Sequence, residues 1–165
     1  MRFYAGIGSR KTPSDIGQLM TALATELEKR GFKLRSGGAE GADTFFELGV
    51  SAPSAKDIFV PWSGFNGRTD SVVSVSPEAY DLAQQFHPAW SRLSRGAKTL
   101  IARDCYQVLG IDLHTPAEFI LCWTPGAQVT GGTGQALRMA EHFDIPVFNL
   151  GKDPAQVVQK LFAEI

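Results

Sequence analysis

Apolar residues return along this chain at two different rhythms. In "DIGQLMTALATELEK", Ile16, Leu19, Met20, Leu23 and Leu27 recur every three or four positions, the spacing of one helical face. By contrast "RFYAGIG", "FKLRS", "KDIFVP" (Lys56 to Pro61), "AEFILCW" and "IPVFNL" are short β-prone runs bounded by glycine, proline or polar residues. Thr12 reads as the cap of the first helix, Pro13 as its first residue and Gly31 as its stop. Helical spacing recurs in "DTFFELGV", from Pro77 to the break at Pro88, and through Trp90, Leu93, Ala97, Leu100, Ile101 and Val108. It returns in "GQALRMAEHF" and in "DPAQVVQKLFAEI", where Val157, Val158, Leu161, Phe162 and Ile165 share a face behind a start at Asp153, Pro154 and Gln156. Trp62 to Ser76 has glycines and serines and no sustained period, and is expected to be a long loop.

Strands alternating with helices predict right-handed crossovers and an α/β fold: a single Rossmann-like domain over residues 1–165, its mostly parallel five-stranded sheet in the order 3-2-1-4-5 with helices on both faces. In that order the loops after strands one and four flank the topological switch point, where ligands of such sheets bind beyond the strands' carboxyl ends. The loop after strand two sits beside them.

Three loops rich in glycine fall at that edge: "GIGSRKT" (Gly6 to Thr12), "SGGAEGAD" (Ser36 to Asp43) and "TGGTGQ" (Thr130 to Gln135). Each joins a strand to a helix, whose free amino-terminal amides attract anions, and glycine lets an anion approach them. Gly8, Ser9, Arg10, Ser36, Gly37, Gly38, Asp43, Gly131, Gly132, Thr133 and Gly134 are therefore the candidate ligand-binding residues. Ser9 and Arg10 suit a phosphate; Asp43 suits ribose hydroxyls, or the cap of its own helix.

Composition narrows the reading. With 16 basic and 17 acidic side chains in 165 residues, the formal net charge is -1, against a uniformly basic nucleic-acid surface. Cys105 and Cys122 stand far apart, and a charged and apolar leader is not evident, so a reducing cytoplasm is expected. No apolar run approaches the roughly 20 residues of a membrane span. The Walker lysine pattern is missing, and "GIGSRK" lacks the third glycine of the dinucleotide fingerprint. His87, His114 and His142 have no ligand-spaced partners, so neither metal nor cofactor is expected. Trp62 and Phe65 would stack on a base or tuck their loop onto the domain; Arg68, Arg92, Arg95 and Lys98 would form a local basic strip or a solvated face.

"GIGSRKTP" and "SGGAEGAD" resemble the glycine loops of DprA (Smf), while "ARDCYQ" followed by "FILCWTPGAQVTGGTGQ" resembles the LOG, or lysine-decarboxylase-like, phosphoribohydrolases of the same Rossmann-like (SLOG) superfamily. The resemblance spans about residues 2 to 150. It puts the LOG helix arginine at Arg103, with Asp104 where that family has lysine, and the glycines at Gly131, Gly132 and Gly134. Gln135 takes the place of a threonine, and Arg138 that of the glutamate associated with cleaving the N-glycosidic bond of a nucleoside monophosphate. An arginine stays protonated and cannot act as that base, so the expected function is binding of a nucleotide or nucleotide-derived ligand, as sensor or sequestering protein, with Arg103 and Arg138 as added phosphate contacts. The resemblance implies two alternatives, LOG-like hydrolysis and DprA-like binding of single-stranded DNA, and it implies a homodimer.

Overall fold

The run "RFYAGIG" is buried on both of its faces, as a central parallel strand requires. In a computed structural model describing residues 1–165, it forms β1 (Arg2–Gly8). β2 (Phe32–Ser36), β3 (Lys56–Ile58), β4 (Phe119–Trp123) and β5 (Val147–Asn149) complete one sheet in the order β3-β2-β1-β4-β5, every pair parallel. Five apolar residues in a row in β4 are explained by the two-residue period of a strand. Ile120 and Cys122 enter one core and Phe119 and Leu121 the other.

The helices are α1 (Ser14–Lys29), α2 (Ala42–Leu48), α3 (Pro77–Phe86), α4 (Arg95–Leu109), α5 (Gly131–His142) and α6 (Pro154–Glu164). Met20, Leu23 and Leu27 of α1, Phe46 of α2 and Leu161 of α6 pack on one sheet face around Tyr4 and Phe119. Ala79 and Ala83 of α3, Ile101 and Cys105 of α4, and Leu137 and Ala140 of α5 pack on the other. None of these helices is long and apolar enough to cross a membrane. Both cysteines are buried and unpaired, and burial pushes each thiol up to about 12.

Several boundaries differ from expectation for local reasons. Thr12 does not cap α1; its hydroxyl turns back to donate to the Ser9 carbonyl at 2.7 Å, and Pro13 takes the cap position. Trp90 and Leu93 lie before α4 rather than on it. Trp90–Arg92 is a 3-10 turn, and the helix starts where Ser94 Oγ accepts from the Ala97 amide. β3 ends at Ile58, three residues short, although Phe59 N still donates to Ser36 O and Val60 makes a parallel bridge to Val72. That bridge anchors the long loop, and Asn66 Nδ2 donates to Gly38 O at 3.0 Å. Asp153 caps α6 without a side-chain bond, in a left-handed conformation.

Gly41 sets the approach of the first two glycine loops. Its φ of 79° and ψ of -127° belong to a region that only glycine occupies comfortably, and a Cβ there would meet the Ser9 and Arg10 carbonyl oxygens at 2.6 Å. Gly41→Ala is expected to destabilise the fold by about 2 kcal/mol or more. Gly132→Ala, where a Cβ meets nothing within 4 Å, should change stability by less than about 1 kcal/mol. Urea unfolding of both variants checks this.

Candidate functional site

Because β1 and β4 are neighbours whose following chains diverge to opposite faces, a crevice opens beyond Gly8 and Trp123, which pair in register. It holds a cavity of about 430 Å³, within the ordinary size range of small-molecule clefts. Gly8, Ser9 and Arg10 line it from the first loop, Asp43 from the start of α2, Arg103 from α4, and Gly131, Gly132 and Thr133 from the start of α5. Eight of the expected residues thus meet around one space.

The rim is cationic and rich in free donors. Arg10 and Lys11 are exposed, and the turn carrying them is fixed by Lys11 N donating to Ser9 Oγ at 3.0 Å and Thr12 N to Ser9 O. Across the opening, Thr130 makes no side-chain cap bond to α5, so the helix presents unpaired amides at exposed Gly131 and Gly132. The loop leading there is tied at its base. Thr124 N donates to Asn149 Oδ1 at 3.1 Å, and Asn149 Nδ2 to Thr124 Oγ1 at 2.8 Å.

The floor is buried and polar. Arg103 Nη1 donates to Gly37 O and, at 2.9 Å, to Phe59 O, while its Nε donates to Asp104 Oδ1 at 3.2 Å. Asp43 Oδ2 accepts from Ala39 N at 3.1 Å, closing the second loop rather than capping α2. Burial pushes the Asp43 carboxyl above the ordinary aspartate range, against the pull of Arg103 and the Ala39 amide. Burial likewise pushes Asp104 up to about 7, with Arg103 opposing and the Asp43 charge adding to the rise. Gln107, only 3% exposed, also lines the floor and finds no hydrogen-bond partner for its amide.

Five expected residues stand outside the lining. Ser36 is buried beneath the crevice, its hydroxyl donating to Gly6 O at 2.6 Å. Gly37 gives its carbonyl to Arg103 and leaves room for that side chain, since a Cβ there would collide with Arg103 Nη1 and Gln107 Nε2. Gly38 gives its carbonyl to Asn66, and Gly134 is buried within α5. Arg138 points away: Nε donates to Phe86 O at 2.6 Å and Nη2 to Gln135 Oε1 at 3.1 Å, clamping α5 onto α3. The middle glycine loop is thus largely an internal support.

Other candidates resolve similarly. Phe65 is buried with Ala39 and Val60, its ring 5.5 Å from the Arg103 guanidinium, so it tucks the loop onto the domain. Arg68 is paired with Glu47 at 2.6 Å and Asp70 at 2.8 Å, which removes it from the basic strip. Lys11, Asp104, Gln107 and Thr124 join the site without having been singled out for it. Asp104 and Gln107 follow Arg103 by one and four positions, and i+4 shares a helical face, a signal present in the sequence.

Neither the protein-family models nor the curated proteins searched give a match. Among solved structures, the chain is similar to DNA processing protein A from Helicobacter pylori, a single-stranded-DNA-binding protein, at 22% identity and a TM-score of 0.57. The likeness covers 90% of this chain and 64% of that one, so this chain spans less than two thirds of its neighbour's length. At this identity the likeness establishes the fold.

The Asp104 carboxyl has a pH signature. Its ionised form is disfavoured in the folded state, so its relative contribution to stability is present at low pH and lost as pH rises from the ordinary value of 3.8 through about 7. Asn cannot ionise. Comparing chemical denaturation at pH 5 and pH 8, the stability of Asp104→Asn relative to wild type should rise by on the order of 2 kcal/mol.

Proposed function

We propose that the cavity binds a small phosphorylated ligand of the nucleotide class, its phosphate at the rim, and that the protein acts as a sensor of that ligand or sequesters it. The observation that carries this reading is the meeting of Arg10 and Lys11 with the uncapped amino terminus of α5 across one opening. Two flexible cations, a helix dipole and exposed glycine amides are suited to phosphate oxygens. With Arg103 against Asp43 and Asp104, the charged groups around the cavity sum to +1 when both acids are ionised, and to +2 when one holds a proton. An anion is favoured in either state.

Hydrolysis is no longer opposed by Arg138, because that guanidinium does not reach the cavity. The two carboxylates on the floor are instead held beside a buried arginine, an arrangement that supports binding without requiring a reaction.

A second reading follows from the single-stranded DNA bound by the Helicobacter pylori neighbour. Exposed Arg92 and Arg95 follow Trp90 in the chain, and the Trp90 ring lies 5.5 Å from Lys98 Nζ, a basic and aromatic combination of the type that holds single strands. It is small. Arg68 is neutralised by its two acids, so few phosphates are within reach of free cations.

Arg10→Ala should weaken binding of a nucleoside monophosphate or diphosphate by about 1.5 to 3 kcal/mol, the value of hydrogen bonds to a charged group, with unchanged melting. Calorimetry on wild type and variant measures it, and equal affinities would remove the rim from the site. Oligonucleotide titration at two salt concentrations should give weak binding with a shallow salt slope. Tight, steeply salt-dependent binding would favour the second reading instead.

A further inference from the structure

We propose that the floor of the cavity is a hydroxyl-reading subsite, in which Asp43, Asp104 and Gln107 select the ribose form of the phosphorylated ligand over deoxy forms. This rests on the nucleotide reading of the rim and adds what the deeper half of the same cavity recognises.

Two acids alone would not make a site; what points to a ligand is the amide beside them, which bonds to no protein group and opens onto the cavity. Gln107 is nearly fully buried, lines the cavity and has no partner among protein groups. Buried side-chain amides are ordinarily hydrogen-bonded, so one that is not, and that faces a cavity, is held ready for something that enters. The same holds for Asp104. Arg103 Nε occupies its Oδ1, and Oδ2 has no donor.

The chemistry of the donors sought is specific. Two carboxylates and an amide oxygen accept hydrogen bonds, so the ligand atoms they face must donate. A metal cation is poorly served, because only two carboxylates are present and the Arg103 guanidinium already sits against them; no group of three possible ligating side chains occurs in the chain. A neutral donor meets no such repulsion. Hydroxyls fit, each able to donate to a carboxylate while accepting from Gln107 Nε2.

Position identifies those hydroxyls as the sugar's. Ala42 N donates to Ser9 O at 3.3 Å, so Asp43 lies one residue from direct contact with the loop that carries the phosphate-binding cation Arg10. A group next to the phosphate in a nucleotide is the ribose, whereas the base lies beyond it. Desolvation sharpens the choice, because a buried acceptor left unpaired is costly and a site built around a hydroxyl discriminates strongly against the analogue lacking it.

The test uses the intact chain and needs no variant at first. Affinities are measured for the four ribonucleoside 5'-monophosphates, their 2'-deoxy and 3'-deoxy counterparts, ribose 5-phosphate and inorganic phosphate. The expected result is that ribonucleotides and ribose 5-phosphate bind roughly 10- to 100-fold more tightly than the deoxy compounds, the span of a hydrogen bond to a charged group. Gln107→Leu and Asp104→Asn, checked for a native fold by circular dichroism at the pH of the binding assay, should shrink that ratio while phosphate affinity stays constant. Equal affinity of ribo and deoxy forms, or discrimination by base alone, overturns the subsite and leaves the phosphate rim standing. If no phosphorylated compound binds, the rim and the subsite fall together.

Discussion

Burying the Arg103 guanidinium is the constraint around which the site is organised. A guanidinium removed from water must spend its donors on protein acceptors, and those acceptors come from different parts of the chain. Gly37 O lies just after β2, Phe59 O just after β3, and Asp104 on the same helix. One side chain therefore fixes α4 against two successive strand exits. The absence of a Cβ at Gly37 is what admits it, and the Phe65 ring lies along its other side.

From that anchoring comes a division of labour across the crevice. The floor is preorganised, with Arg103 held by the Gly37 and Phe59 carbonyls and Asp43 by the Ala39 amide at the sheet's exits. The rim consists of exposed side chains and a helix end, adaptable and solvated. A ligand entering here meets mobile charge first and fixed geometry afterwards, an order suited to attraction followed by recognition.

The elements and the two-sided core were legible in the sequence because each segment carries its periodicity alone, and the strand order and the meeting of the first and third glycine loops followed from the common arrangement of alternating strands and helices. Leu23 and Leu27 betray a helical face, and Phe119 to Cys122 a strand buried on both sides, whatever else the chain does. What was not legible depends on partners distant in sequence. Gly37 and Gly38 look like phosphate-binding glycines, yet their carbonyls serve Arg103 and Asn66, 66 and 28 positions away. Arg138 occupies a motif position but is turned aside by the Phe86 carbonyl, 52 positions off. Trp90 and Leu93 keep helical spacing, but the helix starts only where Ser94, beyond the break at Pro88, caps it by accepting from the Ala97 amide. Gln107 shared a face with Arg103, and with Asp104, all along; only the burial of these residues, a tertiary fact, turned them into a floor.

The two cysteines carry a practical consequence. Cys105 sits under α3 with its sulfur 3.7 Å from Ala79 O, and Cys122 is enclosed in the central sheet. With both sulfurs buried and both thiols pushed up by burial, the native chain is expected to be silent toward maleimides and mild oxidants. A single cysteine introduced at exposed Val129, on the loop that leads into α5, would then be the sole reactive handle, and an environment-sensitive dye attached there would report on that loop without any other label in the molecule.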